Sequence, residues 1–214
     1  MTAERKRVLF YGDSNTYGYD PRGFAGGRYP ADQRWTEMVR RELQDSWEVM
    51  DDGLNGREIP FSPLTMQALD RTLRRCAPLD LFAVMLGSND LLFSGPDPER
   101  AAVHMRQMLA HLNAFLIRHR RAEHCGEETR MEENRLAWEC PILLIAPPEE
   151  RSGGEVLRKA SLRLAKLYRE MAEEQGWMFL DLTSREISLA FDGLHFSEEG
   201  HRQMAGYIEE VLRA

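Results

Sequence analysis

Lysine, cysteine and long apolar runs are what this 214-residue chain has least of. Only Lys6, Lys159 and Lys166 are lysines among 28 basic residues, an arginine bias that reflects genome composition more often than function. Acidic residues number 35 and the net charge is −7. The broad basic field on which nucleic-acid binding depends is therefore missing, and a nucleic-acid partner is not expected. No apolar run approaches the roughly 18 residues that cross a bilayer. The charged start, Met1 to Arg7, meets only the four-residue run Val8–Tyr11, too short for a secretory signal. No membrane partner is expected, and the expected compartment is the cytoplasm. Cys76, Cys125 and Cys140 make an odd set without short metal-type spacing, so they read as reduced, non-catalytic thiols and not as a disulfide framework.

What is present suits one well-filled domain over residues 1–214. Five short apolar runs, Val8–Tyr11, Trp47–Asp51, Leu81–Leu86, Ile142–Ala146 and Met178–Asp181, are bounded by Gly, Pro or charged residues and read as buried strands. Between them lie helical stripes. Trp35, Met38, Val39 and Leu43 form one, and Met105, Met108, Leu109, Leu112, Phe115 and Leu116 another. Leu157, Leu164, Leu167, Tyr168 and Met171 make a third, and Met204, Ile208, Val211 and Leu212 a fourth. Nearly continuous hydrophobicity suits parallel strands covered on both faces. The alternation predicts an α/β fold: a three-layer α/β/α sandwich with a flavodoxin-like, parallel five-stranded sheet. The polar segment from Arg118 to Glu139 reads as a helix end and surface excursion. Its His119, His124 and Cys125 lack an evident further metal ligand, and no metal is expected.

Ligands of such a sheet bind beyond the carboxyl ends of the strands. After the first strand comes Gly12-Asp13-Ser14-Asn15-Thr16-Tyr17-Gly18, where Ser14 suits a helix cap, an anion-binding turn or a nucleophile. A phosphate loop is disfavoured because no Gly-Lys-Ser/Thr follows, and Gly26-Gly27 lies too far from the strand. After the second strand, Gly53-Leu54-Asn55-Gly56-Arg57 alone is a turn. After the third, Gly87-Ser88-Asn89-Asp90 either caps a helix or presents the Asn89 amide to an oxyanion. After the fifth, Asp192-Gly193-Leu194-His195 lets a carboxylate fix an imidazole tautomer, though isolated Asp/His pairs are common. His201, in the final helical stripe, is expected to face solvent. Jointly the segments supply a nucleophile, base, orienting acid and oxyanion donors at one sheet edge.

In these blocks the chain resembles the SGNH (GDSL-type) hydrolases, most closely their bacterial aryl-esterase and acyltransferase branch. Gly12-Asp13-Ser14 matches the first block, with Asn15 where the GDSL name has Leu. Gly56 takes the second-block glycine position, Gly87-Ser88-Asn89-Asp90 matches the third, and Asp192-Gly193-Leu194-His195 the last. Asp32-Gln33-Arg34-Trp35-Thr36 and the stretch Leu79 to Gly87 are similar to that branch too, so the resemblance covers Val8 to about Leu212. The segment Glu123–Glu139 and the loop Pro147–Gly154 depart from it.

The resemblance implies a serine esterase acting on a small-molecule ester through an acyl-enzyme, with the triad Ser14, Asp192 and His195. It implies an oxyanion hole from the N–H groups of Ser14 and Gly56 and the Asn89 side chain. Asp13 and Asp90 are expected to support the turns, and Tyr17, Asn55 and Leu194 to line the substrate pocket. No cofactor is required. A carbohydrate O-deacetylase or an acyltransferase uses the same parts and remains an alternative, as does, outside enzymes, a flavodoxin-like binding module. Relatives of this branch assemble, which leaves a homo-oligomer open.

Overall fold

A computed structural model describes residues 5–23, 27–123 and 140–214, with the side chains of 119–123 outside the description. His119, as a side chain, and Gly26, His124, Cys125 and the rest of 124–139 therefore lie outside the described residues.

Strands β1 (Lys6–Gly12), β2 (Trp47–Gly53), β3 (Leu81–Met85), β4 (Ile142–Ala146) and β5 (Met178–Asp181) coincide with the five apolar runs to within two residues at each end. They pair in parallel in the order β2-β1-β3-β4-β5, the flavodoxin-like arrangement expected from sequence. Burial follows position in the sheet: β3 and β4 are buried throughout, whereas the edge strands β2 and β5 are only partly covered.

Side-chain alternation divides the apolar residues between two cores. Leu9, Phe82, Val84, Ile142 and Leu144 face one layer, with α3 (Pro63–Cys76), α5 (Pro98–Glu123) and α6 (Gly154–Gln175). Val8, Phe10, Ala83, Leu143 and Ile145 face the other, with α2 (Trp35–Glu42) and α7 (Glu198–Arg213). The Met-rich stripe is core: Met105 and Met108 are fully buried. Cys76 and Cys140 are buried free thiols, and burial pushes the Cys140 thiol up to about 12. Among the described residues, no helix is long and apolar enough to cross a membrane.

Local chemistry starts the helices where the sheet requires them. Ser62 caps α3 in a reciprocal box with Thr65, and Pro63 occupies its first turn. Ser197 accepts the Gly200 N–H at 3.1 Å and caps α7. His201 does not face solvent. It is 1% exposed, because residues 201, 204, 205 and 208 form the face of α7 packed on the sheet. Its ring meets Tyr29 and Phe196 edge-on, and burial, with Arg34 nearby, pushes its pKa down to about 4.

In-register pairing sets Gly12 beside Gly53 and Met85, and Ala146 beside Asp181. The loops after all five strands therefore open at one edge.

Candidate active site

The turn after β1 is held by its own side chains. Asp13 caps the four-residue helix α1 (Ser14–Tyr17), its Oδ1 accepting the Asn15 N–H at 2.9 Å. The cap is thus Asp13, and Ser14 is the first helical residue. The approach of β2 is tight: a Cβ on Gly53 would lie 2.1 Å from Tyr17 N. Trp35, at the start of α2, donates its indole N–H to the Asn15 carbonyl at 2.9 Å and fixes the turn from the other layer. That contact gives the Asp32–Thr36 segment a structural role.

Ser14 Oγ lies 3.0 Å from His195 Nε2, and His195 Nδ1 lies 2.6 Å from Asp192 Oδ2. The other carboxylate oxygen, Oδ1, accepts the N–H groups of Leu194 and His195 at 3.1 and 3.0 Å. Burial raises the Asp192 pKa, but the hydrogen bonds from the His195 ring and the two amides outweigh it and hold the carboxyl below its ordinary value. Asp192 is thus ionised beside the imidazole, which selects the tautomer carrying its proton on Nδ1 and leaves Nε2 free to accept from Ser14. The Tyr19 ring covers one side of the imidazole, centroid to centroid 4.5 Å.

Asn15 joins the two halves of this arrangement. Its Oδ1 accepts the Phe196 N–H at 2.8 Å, and its Nδ2 donates to the Leu194 carbonyl at 3.2 Å.

The second and third blocks meet through one bond: Asn89 Nδ2 donates to the Arg57 carbonyl at 3.0 Å. Gly56 stands in the same turn with φ +73°, a left-handed conformation that favours glycine. Asn89, 5% exposed, lies in the first turn of α4 (Ser88–Phe93), whose cap Gly87 offers no side chain. Asp90 braces the adjoining loop by accepting the Ile59 N–H at 3.1 Å, and burial pushes its pKa up to about 7. Buried Asp13 is raised to about 6 for the same reason, against the pull of the Asn15 N–H.

Of the residues expected to line a pocket, Leu194 is half-buried beside the triad and Asn55 is exposed in the second-block turn. The Tyr17 ring lies under the Arg28 guanidinium at 4.3 Å. Tyr19 and Arg57 also meet the triad or its supports, and Glu150 lies within electrostatic reach of Asp13 and Asp192; no sequence motif assigns any of the three a role. Tyr19 and Glu150 belong to loops without a motif, and Arg57, within the second block, carries no signal beyond that of a turn residue. Glu150 follows β4, is 3% exposed, and has its Oε2 buried without a hydrogen-bond partner. Burial, with the nearby charges of Asp13 and Asp192, pushes it up to about 7.

A doubly wound sheet with a Ser-His-Asp chain at its carboxyl edge defines a class: α/β enzymes equipped for acyl transfer. More specifically, residues 10–203 match the GDSL-like lipase/acylhydrolase family, and the chain belongs to it. Solved structures agree. A carbohydrate acetylesterase family member from Sinorhizobium meliloti is 30% identical, covers 97% of each chain and superposes with a TM-score of 0.75. An arylesterase candidate from Agrobacterium tumefaciens C58 is 30% identical over 97% of this chain and 98% of its own, with a TM-score of 0.79. The aryl esterase of M. smegmatis is 26% identical over 97% and 98%, with a TM-score of 0.75. No match was found among curated proteins. The chain is an ester-hydrolysing enzyme with the SGNH fold.

Proposed function

We propose that the protein hydrolyses short-chain carboxylic esters through an acyl-enzyme on Ser14. The observation that carries this reading is the continuous path Ser14 Oγ–His195 Nε2 and His195 Nδ1–Asp192 Oδ2, at 3.0 and 2.6 Å.

His195 Nε2 takes the hydroxyl proton as Ser14 Oγ attacks the ester carbonyl carbon. Asp192 stabilises the imidazolium that forms and holds its ring. The negative charge on the carbonyl oxygen is met by the Ser14 and Gly56 N–H groups and the Asn89 amide, donors that need no reorganisation during the reaction. Collapse breaks the bond to the leaving oxygen, which receives the proton from His195. A water molecule, deprotonated by His195, then attacks the acyl carbon and releases the acid and free Ser14. An alcohol in place of water would yield transfer.

The aryl esterase of M. smegmatis supports the aryl or alkyl ester reading. The name of the S. meliloti neighbour equally favours acetyl groups on sugars. An acyl-chain series of aryl esters, run beside acetylated sugars, separates the two. The central test is labelling by a fluorophosphonate together with turnover of p-nitrophenyl acetate. The expected outcome is one modified serine, Ser14, and a folded Ser14→Ala protein that is neither labelled nor active. Turnover by Ser14→Ala at the parent rate rejects the proposal.

A further inference from the structure

Arg57 touches more of the site's framework than any triad residue does. Its guanidinium is largely buried, and it donates from Nη2 to Asp52 Oδ1 at 2.6 Å. Nη1 donates to the Gly12 carbonyl at 2.8 Å and to the Asp52 carbonyl. The group also lies 4.0 Å over the Tyr11 ring. One fork thus joins the ends of β1 and β2 immediately before the nucleophile turn. Asp52 is tied outward to Thr72 Oγ1 on α3, so the fork is anchored to the helical layer.

The backbone completes the clamp. The Gly12 carbonyl accepts the Leu54 N–H at 3.1 Å, and the Leu54 carbonyl accepts the Arg57 N–H at 3.1 Å, which closes the turn containing Gly56. The Arg57 carbonyl then receives Asn89 Nδ2 at 3.0 Å. A carboxamide has two N–H bonds and one acceptor oxygen. A carbonyl facing it rejects the flipped amide, because two oxygens would then meet without a proton. With one N–H spent on Arg57, the other remains for a ligand.

We infer that Arg57 is the positioning residue of the oxyanion hole: its guanidinium locks the turn that presents the Gly56 N–H, and its carbonyl sets the Asn89 amide. This rests on the proposed function, in which those two groups meet the oxyanion. Arg57 itself touches no reacting atom.

The test is steady-state hydrolysis of p-nitrophenyl acetate by the parent, Arg57→Ala, Arg57→Lys, Asn89→Ala, Ser14→Ala and the double variant Arg57→Ala/Asn89→Ala. Asn89→Ala is expected to lower kcat about 10²–10³-fold, the usual effect of removing one such donor. Arg57→Ala is expected to lower kcat about 10–100-fold with KM within about threefold, as befits a loss confined to the transition state. In the double variant the losses should not multiply, falling short of the product by about tenfold, because both act on one unit. A merely structural role, which lowers the folded fraction, would multiply in full with the Asn89→Ala loss, whereas a shared oxyanion hole would not.

Arg57→Lys keeps the charge but not the fork and should lose about 3–10-fold in kcat. It carries the test should the alanine protein fail to fold, and parental kcat in Arg57→Lys would then overturn the inference. So would full multiplication of the two losses, or a defect of Arg57→Ala confined to KM. Parental turnover by Ser14→Ala instead defeats the underlying reading. Loss in Ser14→Ala and Asn89→Ala with parental kcat in Arg57→Ala defeats only the role of Arg57.

Discussion

Asn15 and Phe196 stand 181 positions apart in the chain and are joined by a 2.8 Å hydrogen bond from the Phe196 backbone N–H to the Asn15 Oδ1. Through this contact the residue after the proposed nucleophile, Ser14, holds the residue after the proposed base, His195. The distance between Ser14 and His195 is therefore maintained by a neighbour of each, and by the second Asn15 bond to the Leu194 carbonyl.

Replacing Asn15 with Leu, the residue of the GDSL name, removes both bonds and leaves a buried N–H without an acceptor. The expected cost is about 1–3 kcal/mol of stability. A kcat loss of about tenfold or more should accompany it, as the His195 loop is released. Thermal unfolding and ester hydrolysis check the two effects separately. A variant with parental Tm and kcat would show that the loops hold their spacing without this clasp.

Gly53 faces the Tyr17 backbone so closely that an added Cβ would lie 2.1 Å from its nitrogen and 2.5 Å from its Cα. Neither atom belongs to a flexible side chain, so Gly53→Ala must push α1 from the end of β2. Overpacking of this kind costs about 1–3 kcal/mol. A fall in Tm of about 2–12 °C is expected for a protein of this size. Differential scanning calorimetry reads it directly, and an unchanged Tm contradicts the close approach.

Glu150 makes stability depend on pH. Burial pushes its folded-state pKa up to about 7, with the charges of Asp13 and Asp192 adding to the shift. The unfolded chain, with an ordinary carboxyl, releases the proton first as pH rises. Raising the pH therefore favours unfolding between the two values. The contribution is complete below the ordinary glutamate range and is lost as pH climbs through about 7. Glu150→Gln removes the ionisation. Its stability relative to the parent should rise by about 1–3 kcal/mol between pH 4 and pH 8. Urea unfolding at the two pH values measures the change, and a constant difference would show that Glu150 does not titrate in this range.

Much of this molecule is legible locally. Alternating and continuous apolar patterns mark the strands, because a buried strand must be apolar wherever a layer covers it. The order of the strand-end blocks placed Ser14, Asn89, Asp192 and His195 at one edge, because parallel strands put all their carboxyl ends on one side. His201 differs from the solvent-facing expectation, because the buried face of an amphipathic helix can include a neutral imidazole packed between aromatic rings.

What the sequence by itself determined was the class of layers and the identity of the proposed reacting groups, since both depend on short-range periodicity and residue chemistry. Only the tertiary structure decided what holds those groups in place. The Asn15 clasp, the Arg57 fork and the buried carboxyl of Glu150 involve residues brought together by strand order and register. Such contacts join irregular loops distant in the chain, where no periodic pattern announces the partner, and packing against the completed sheet selects which side chains meet.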